Sequence, residues 1–235
     1  MALPTMDLPM YDLEVPSTKK KIKFRPFLVK EEKVLLLALE SENEKSIRDA
    51  VFELLKACIS TRIKLENLAT FDLEYIFLNI RAVSVGEVVP MNITCRDDNE
   101  TQVKYNLNLT EAKVIFPEGH TNKIMLTDDL GVIMKYPTFD GFVEGQFTEN
   151  KDMDVIKVIA ESIDQIFQGE EVYDESTTSK KEFVKFVESL TNKQLEKVQA
   201  FFETSPRLEH SFKITNPNTG VESEYVLRGL QAFFG

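Results

Sequence analysis

Apolar residues in this chain change their period in blocks, so that stretches repeating every second residue and stretches repeating every third and fourth are grouped instead of alternating. A doubly wound parallel sheet needs strand and helix in strict alternation, so this grouping points to an α+β fold with antiparallel sheets. Residues 11–27 read as two short strands around Pro16-Ser17-Thr18, with Ile22, Phe24 and Phe27 alternating against Lys21, Lys23 and Arg25. From Lys30 the pattern turns helical: Glu31 and Glu32 sit at the start, where the helix dipole favours acids, and Val34, Leu35 and Leu39 mark the buried side. Ile47, Val51, Leu54, Leu55 and Cys58 form the apolar face of a second helix. A third opens at Thr70 and carries Leu73, Ile76, Phe77 and Ile80 at i, i+3, i+4 and i+7.

Gly86 breaks that pattern, and the middle of the chain reads mainly as strand. Val88–Cys95 and Thr101–Leu109 flank the polar tip Arg96-Asp97-Asp98-Asn99-Glu100, and β-like segments continue through Ala112–Pro117, Lys123–Leu126 and Val132–Tyr136. Helix is expected again from Asp152 to Phe167, on the stripe Val155, Ile156, Ile159, Ile163, Ile166 and Phe167, followed by Gly169 and a loop over 170–178. Ser179-Lys180-Lys181-Glu182 and Thr191-Asn192-Lys193-Gln194 are capping boxes opening two further helices. After Pro206, His210–Thr215 and Val221–Leu227 make a final hairpin around Asn216-Pro217-Asn218-Thr219-Gly220. The expected architecture is an N-terminal β-hairpin with helices, a central antiparallel sheet, and a C-terminal helical part ending in a β-hairpin. The expected division is an N-terminal α+β domain over 1–147 and a mainly helical domain over 148–235.

Charge narrows the function. Across 235 residues, 28 Lys and Arg face 39 Asp and Glu, a net charge of −11. Nucleic-acid affinity comes largely from clustered basic residues that displace counterions, so nucleic acid is disfavoured as a partner. The longest apolar run, Val34–Leu39, is far below the roughly 18 to 20 residues that span a bilayer, and no membrane association is expected. Prolines and acids in the first 13 residues argue against a secretory signal, so a cytoplasmic protein is expected. On that reading the glycosylation patterns at Asn92, Asn99 and Asn108 are chance matches.

Chemistry is hard to find. The phosphate-cradling glycine motifs, the H-E-x-x-H zinc motif and the G-x-S-x-G elbow are all missing from the sequence. His120 and His210, the two histidines, have no partner at metal-ligand spacing and read as structural. Cys58 reads as a small buried hydrophobe, with Arg62 the one basic neighbour on its helix. Asp152-x-Asp154 opens like a calcium loop but continues with Ile156 and Lys157, and reads better as a helix start. The acid pairs Asp97-Asp98 and Asp128-Asp129 sit in turns, where Asp bonds its own backbone; a divalent ion there is the weaker reading. An enzyme is accordingly not expected, and no cofactor or metal. Two features read as partner-binding candidates: the basic cluster Lys19, Lys20, Lys21, Lys23 and Arg25, and the apolar end Leu230, Phe233 and Phe234. Lysines on an edge strand also guard against unwanted pairing, and a docked terminus would explain the tail.

Three stretches carry a resemblance. The opening Leu8-Pro9-Met10-Tyr11-Asp12-Leu13-Glu14-Val15-Pro16-Ser17-Thr18 with Phe24-Arg25-Pro26-Phe27-Leu28-Val29-Lys30-Glu31-Glu32-Lys33, the internal Phe71-Asp72-Leu73-Glu74-Tyr75-Ile76-Phe77-Leu78 with Ser84-Val85-Gly86-Glu87, and the closing Leu230-Gln231-Ala232-Phe233-Phe234 come in that order. Together they resemble the baseplate hub and hub-assembly protein family of T-even-type tailed bacteriophages, over essentially the whole chain. The resemblance implies a non-enzymatic protein that works through contacts with other phage baseplate hub subunits, in the host cytoplasm during assembly and in the virion tail baseplate afterwards. Its alternative is a transient hub assembly chaperone that leaves before the virion is mature; the oligomeric state stays open. Relatives carry Cys-x-x-Cys at hairpin tips, like zinc knuckles. Here Asp98 stands where the second Cys of the first tip would be, and the second tip has no Cys, so a zinc role is not expected.

Overall fold

The structure, a computed structural model, describes residues 7–41, 43–138 and 155–233. Among these residues it has six α-helices and eleven strands, all paired antiparallel, in four small sheets. The fold is α+β, as the blocks of period two and period 3.6 predict. Two compact units form. The first is Met1–Leu65, Phe71–Ile115 and Arg207–Gly235; the second is Glu66–Thr70 and Phe116–Pro206. The chain does not contribute to these units in one continuous run each. Its last hairpin returns to the first unit because Arg207–Glu209 pairs with Lys113–Ile115.

In the first unit, β1 (Tyr11–Glu14) and β2 (Lys21–Phe24) form the expected hairpin, burying Ile22 and Phe24 and exposing Lys21 and Lys23. Helix α1 (Val29–Glu40) lies against α2 (Glu44–Cys58), whose first turn is capped by Asn43 accepting from the Ser46 N–H at 2.9 Å. Helix α3 (Thr70–Val85) buries Leu73, Ile76, Phe77, Leu78 and Ile80, so it is apolar on more than one side and serves as the unit's centre. Two hairpins follow the same alternation: β3 (Val88–Thr94) with β4 (Gln102–Asn108), and β10 (Arg207–Thr215) with β11 (Glu222–Arg228). The short strand β5 (Lys113–Ile115) completes the second sheet in the order β11-β10-β5. Leu78, Ala82, Leu107, Leu109, Ala112, Leu208 and Phe233 close one core cluster.

Helix α1 corrects one expectation. Leu35 and Ala38 face inward, while Val34 is 54 % exposed, together with Val29, Leu36 and Leu37. Six consecutive apolar residues cover the whole circumference of a helix, so their run could not say which side is buried.

The second unit is a four-stranded sheet in the order β6-β7-β8-β9, from β6 (Lys123–Met125), β7 (Leu130–Met134), β8 (Ile163–Gln168) and β9 (Glu171–Asp174). Helices α4 (Val155–Glu161), α5 (Lys180–Glu188) and α6 (Asn192–Glu203) belong to it. Both capping boxes form: the Ser179 N–H donates to Glu182 at 2.8 Å and the Thr191 N–H to Gln194 at 2.9 Å. Val132, Met134, Ile159, Ile163, Phe183, Val187, Val198 and Phe201 make the core.

The helix expected over 152–167 ends at Glu161, and Ile163, Ile166 and Phe167 belong to β8 instead; Asp152 and Asp154 lie outside the described residues. A β-bulge explains the misreading. Ile133 pairs with Gln165 and Met134 with Ile163, leaving Asp164 as an extra residue. Ile163 and Ile166 thus both face inward three residues apart, which imitates helical spacing. The stretch 170–178 is likewise not all loop, since Glu171–Asp174 pairs with β8 as its edge strand.

Gly131 makes this sheet possible. It pairs with Phe167, and a Cβ there would collide with the Phe167 ring and stand 2.8 Å from the Ile124 carbonyl oxygen. Gly131→Ala is expected to destabilise the protein by about 2 kcal/mol through overpacking, measured by urea denaturation. Phe167→Leu in the same background should recover part of the loss.

Candidate functional site

The most elaborate polar arrangement in the structure is where the tips of the two long hairpins of the first unit meet. Aromatic stacking brings them together: Tyr105 of β4 lies on Phe212 of β10 with centroids 4.0 Å apart, and Phe212 stacks on Tyr225 of β11 at 5.7 Å. Cys95, Phe212, Ile214 and Tyr225 are buried between the sheets. The Tyr225 hydroxyl accepts from the Arg96 N–H at 3.0 Å and donates to the Thr94 carbonyl at 3.1 Å, while the Arg96 guanidinium covers the Tyr225 ring.

Beyond this stack lies a knot of carboxylates and amides. The Asn216 side chain, only 1 % exposed, donates to Asp97 at 3.0 Å and to Asp98 at 2.9 Å. Thr219 donates to Asp97 at 2.5 Å, and Asp98 also accepts from the Thr101 hydroxyl at 2.5 Å and from the N–H groups of Glu100 and Thr101. These donors, Thr219 first for Asp97 and Thr101 first for Asp98, hold both carboxyls below the ordinary range. Burial first, and the two carboxylates second, push the Cys95 thiol up. The acid pair at the first tip is thus spent on joining the hairpins, a connection between residues more than a hundred positions apart that local sequence reading missed.

The remaining candidates for chemistry are also occupied. Burial pushes the Cys58 thiol up to about 11, although Arg25 Nη1 lies 3.9 Å from its sulfur. That basic neighbour comes from the residue after β2 and not from the helix of Cys58. His210 is buried, with Nε2 3.2 Å from the Tyr105 hydroxyl. His120, in the second unit, has Nδ1 3.0 Å from the Thr204 hydroxyl and Nε2 3.0 Å from that of Tyr136, and its ring stacks against Tyr136. Desolvation lowers its pKa. Asp129 accepts from the Thr127 hydroxyl at 2.9 Å. No group of three or more His, Cys, Asp and Glu among the described residues could hold a metal ion. No helix among them is long and apolar enough to cross a membrane.

The partner-binding candidates separate. Lys20, Lys21 and Lys23 are exposed. Lys21 pairs across the hairpin with Glu14 and Lys23 with Asp12, so acids share that face, and Lys19 Nζ lies 3.9 Å from Glu14. Arg25 does not belong with them. Its guanidinium grips Glu31 with two bonds of 3.0 and 2.8 Å and also donates to the Pro26 carbonyl, fixing the corner between β2 and α1. Phe233 is 1 % exposed and packs in the core of the first unit, which makes it a docked end rather than a presented surface. The Leu230 side chain and Phe234 lie outside the described residues.

A family model described as T4 bacteriophage base plate protein matches residues 8–235. The chain belongs to that family. No curated protein and no solved structure matches it. For this base plate protein the Cys-x-x-Cys knuckles implied by the resemblance do not fit: the first tip offers one buried thiol whose pKa is raised, and its carboxylates already accept several hydrogen bonds.

Asn216→Ala should therefore destabilise the base plate protein by about 1–3 kcal/mol, because it leaves polar groups around a buried position without their donor. Differential scanning calorimetry measures this, and excess EDTA should leave the wild-type melting temperature unchanged. His120 gives a pH dependence of the opposite sense to a paired histidine. Its folded pKa lies below the ordinary 6.5, so the stability it contributes is complete above that value and falls as pH drops, because the unfolded chain takes up the proton first. Melting temperatures from pH 8 to pH 5 should decline more steeply in wild type than in His120→Gln.

Proposed function

We propose that this chain is a structural subunit of the phage baseplate hub, acting through protein–protein contacts and not by catalysis. The match to the base plate family over residues 8–235 carries the reading, because it takes in both units. The internal use of the chemically versatile side chains supports it. His120, His210, Asp97 and Asp98 are held by partners from distant parts of the chain, and both thiols have raised pKa values. An acidic chain with exposed lysines on one hairpin can stay in solution until a matching neighbour is presented.

The contact surface we assign to hub neighbours includes the exposed Lys19, Lys20, Lys21 and Lys23. Lys19 sits at φ +57, a left-handed backbone that Gly or Asn would adopt with less strain. Assembly would take place in the host cytoplasm, with the subunit carried into the virion tail.

Mass spectrometry of purified virions tests the structural role: the chain should be present in stoichiometric amount with other baseplate proteins. Its absence from virions, with presence in baseplate precursors, would establish the transient hub assembly chaperone instead. Charge reversal of Lys19, Lys20 and Lys21 should weaken co-purification with hub subunits about tenfold while leaving the circular dichroism spectrum unchanged.

A further inference from the structure

Helix α1 presents a side that its own unit leaves uncovered. Val29 is 81 % exposed, and Leu36 and Leu37 are each more than half exposed. At 100° per residue, Val29, Lys33, Leu36 and Leu37 fall on one broad face, with Lys30 beside them and Val34 at its margin. The opposite face carries Leu35 and Ala38, which are buried, and Glu31, which is held by Arg25. The uncovered side thus combines four large apolar residues with exposed Lys30 and Lys33 in its first half, while the half-buried Glu32 borders it beside Leu36 and Glu40 closes it at the far end. This runs against the charge of the chain, which is −11. The surface extends at the start of the helix. The Phe27 N–H donates to Ser84 at 3.0 Å, which brings the end of α3 beside that of the incoming chain, and Val85 is 60 % exposed.

We propose that α1 is a docking helix that enters an apolar, acid-rimmed groove on another base plate protein. The inference rests on the hub reading above and names the surface and the partner chemistry for it. Helix-in-groove recognition lays apolar anchors one and two turns apart on a single face into the groove; Val29 and Leu36 stand two turns apart with Leu37 beside them, while Lys30 and Lys33 select acids on the rim. A second copy of this chain fits less well. Twelve residues make a helix about 18 Å long, and one helix laid on its twin falls short of the roughly 1,200 Å² that stable interfaces bury. Each copy also brings the same net negative charge. A groove encloses the helix on more sides and meets its lysines with the opposite sign.

The experiment co-expresses the full chain with the other base plate proteins of the same phage and measures the complex recovered through a tag on one of them. Leu36→Glu with Leu37→Glu, and separately Lys30→Glu with Lys33→Glu, should each reduce recovery at least tenfold, with circular dichroism and melting temperature unchanged. Lys30→Arg with Lys33→Arg, and Lys193→Glu in the second unit, should stay within twofold of wild type. Undiminished recovery with the Leu36→Glu, Leu37→Glu chain would overturn the docking helix while leaving the hub reading standing. A wild-type chain that joins no base plate protein would overturn both. Two further results would assign the face elsewhere and overturn the proposal. One is a dimer of the isolated chain, seen by sedimentation and abolished by the leucine variant; the other is binding to phosphatidylglycerol vesicles abolished by the same variant.

Discussion

The pairing of Arg207–Glu209 with Lys113–Ile115 is the constraint on which the first unit depends. Three stretches of chain build that unit, and this short ladder is where the last of them is joined to the second. Closing such a long excursion costs loop entropy that three backbone pairs alone would barely offset. The rest of the closure comes from what the returning strand brings with it. Leu208 is fully buried, Phe212 stacks on Tyr105, and the tip at Asn216 ties to Asp97 and Asp98. Phe233 then inserts into the cluster of Leu78, Leu107 and Leu208. The apolar end of the chain belongs to this closure, which is why Phe233 reads as a sticky tail in sequence and as a core residue in space.

Polar residues follow the same logic of distant use. Asp72 is fully buried in the first turn of α3, where it accepts from both the N–H and the hydroxyl of Ser17 in the β1–β2 turn. An acid in the first turn of a helix is locally explained by the dipole, and nothing in the local sequence distinguishes that role from a buried anchor. Arg25 is comparable. In a linear reading it is the fifth member of a basic cluster, yet in the fold it is committed to Glu31 and sits close to Cys58. The buried hydrogen-bonded groups are satisfied by partners that strand pairing and helix packing deliver, so the site chemistry is a product of topology and not of motif.

Periodicity was legible wherever one face of an element was clearly buried. The β1–β2 hairpin, helix α2, the two capping boxes and the last hairpin could all be read because polar and apolar residues there separate cleanly. It failed at two places for definable reasons. The bulge at Asp164 gives strand β8 a spacing of three between inward residues, and spacing alone cannot separate that from a helix. In α1 the apolar residues surround the axis, so the sequence marks a helix without marking its buried side. The strand that Arg207–Glu209 pairs with was not legible either, because that choice is made by burial and by the tip contacts.

The run that defeated the reading of α1 is also what separates it from a helix made only for its own core. A surface helix of a soluble protein normally places polar residues outward, and each exposed Leu or Val raises the risk of association. Here the risk is limited by Lys30 and Lys33 within the apolar face and by a surrounding chain of −11, which repels copies of itself. Such a surface is stable in isolation and discriminating on contact. An acidic groove gains both the apolar burial and the charge pairing, whereas a basic or second-copy neighbour must give up at least one of them. Specificity in this chain is thus carried by the combination of charge and apolar area on one helix face, while the Arg25–Glu31 pair and the buried Asp72 secure the frame of the first unit that holds that face in place.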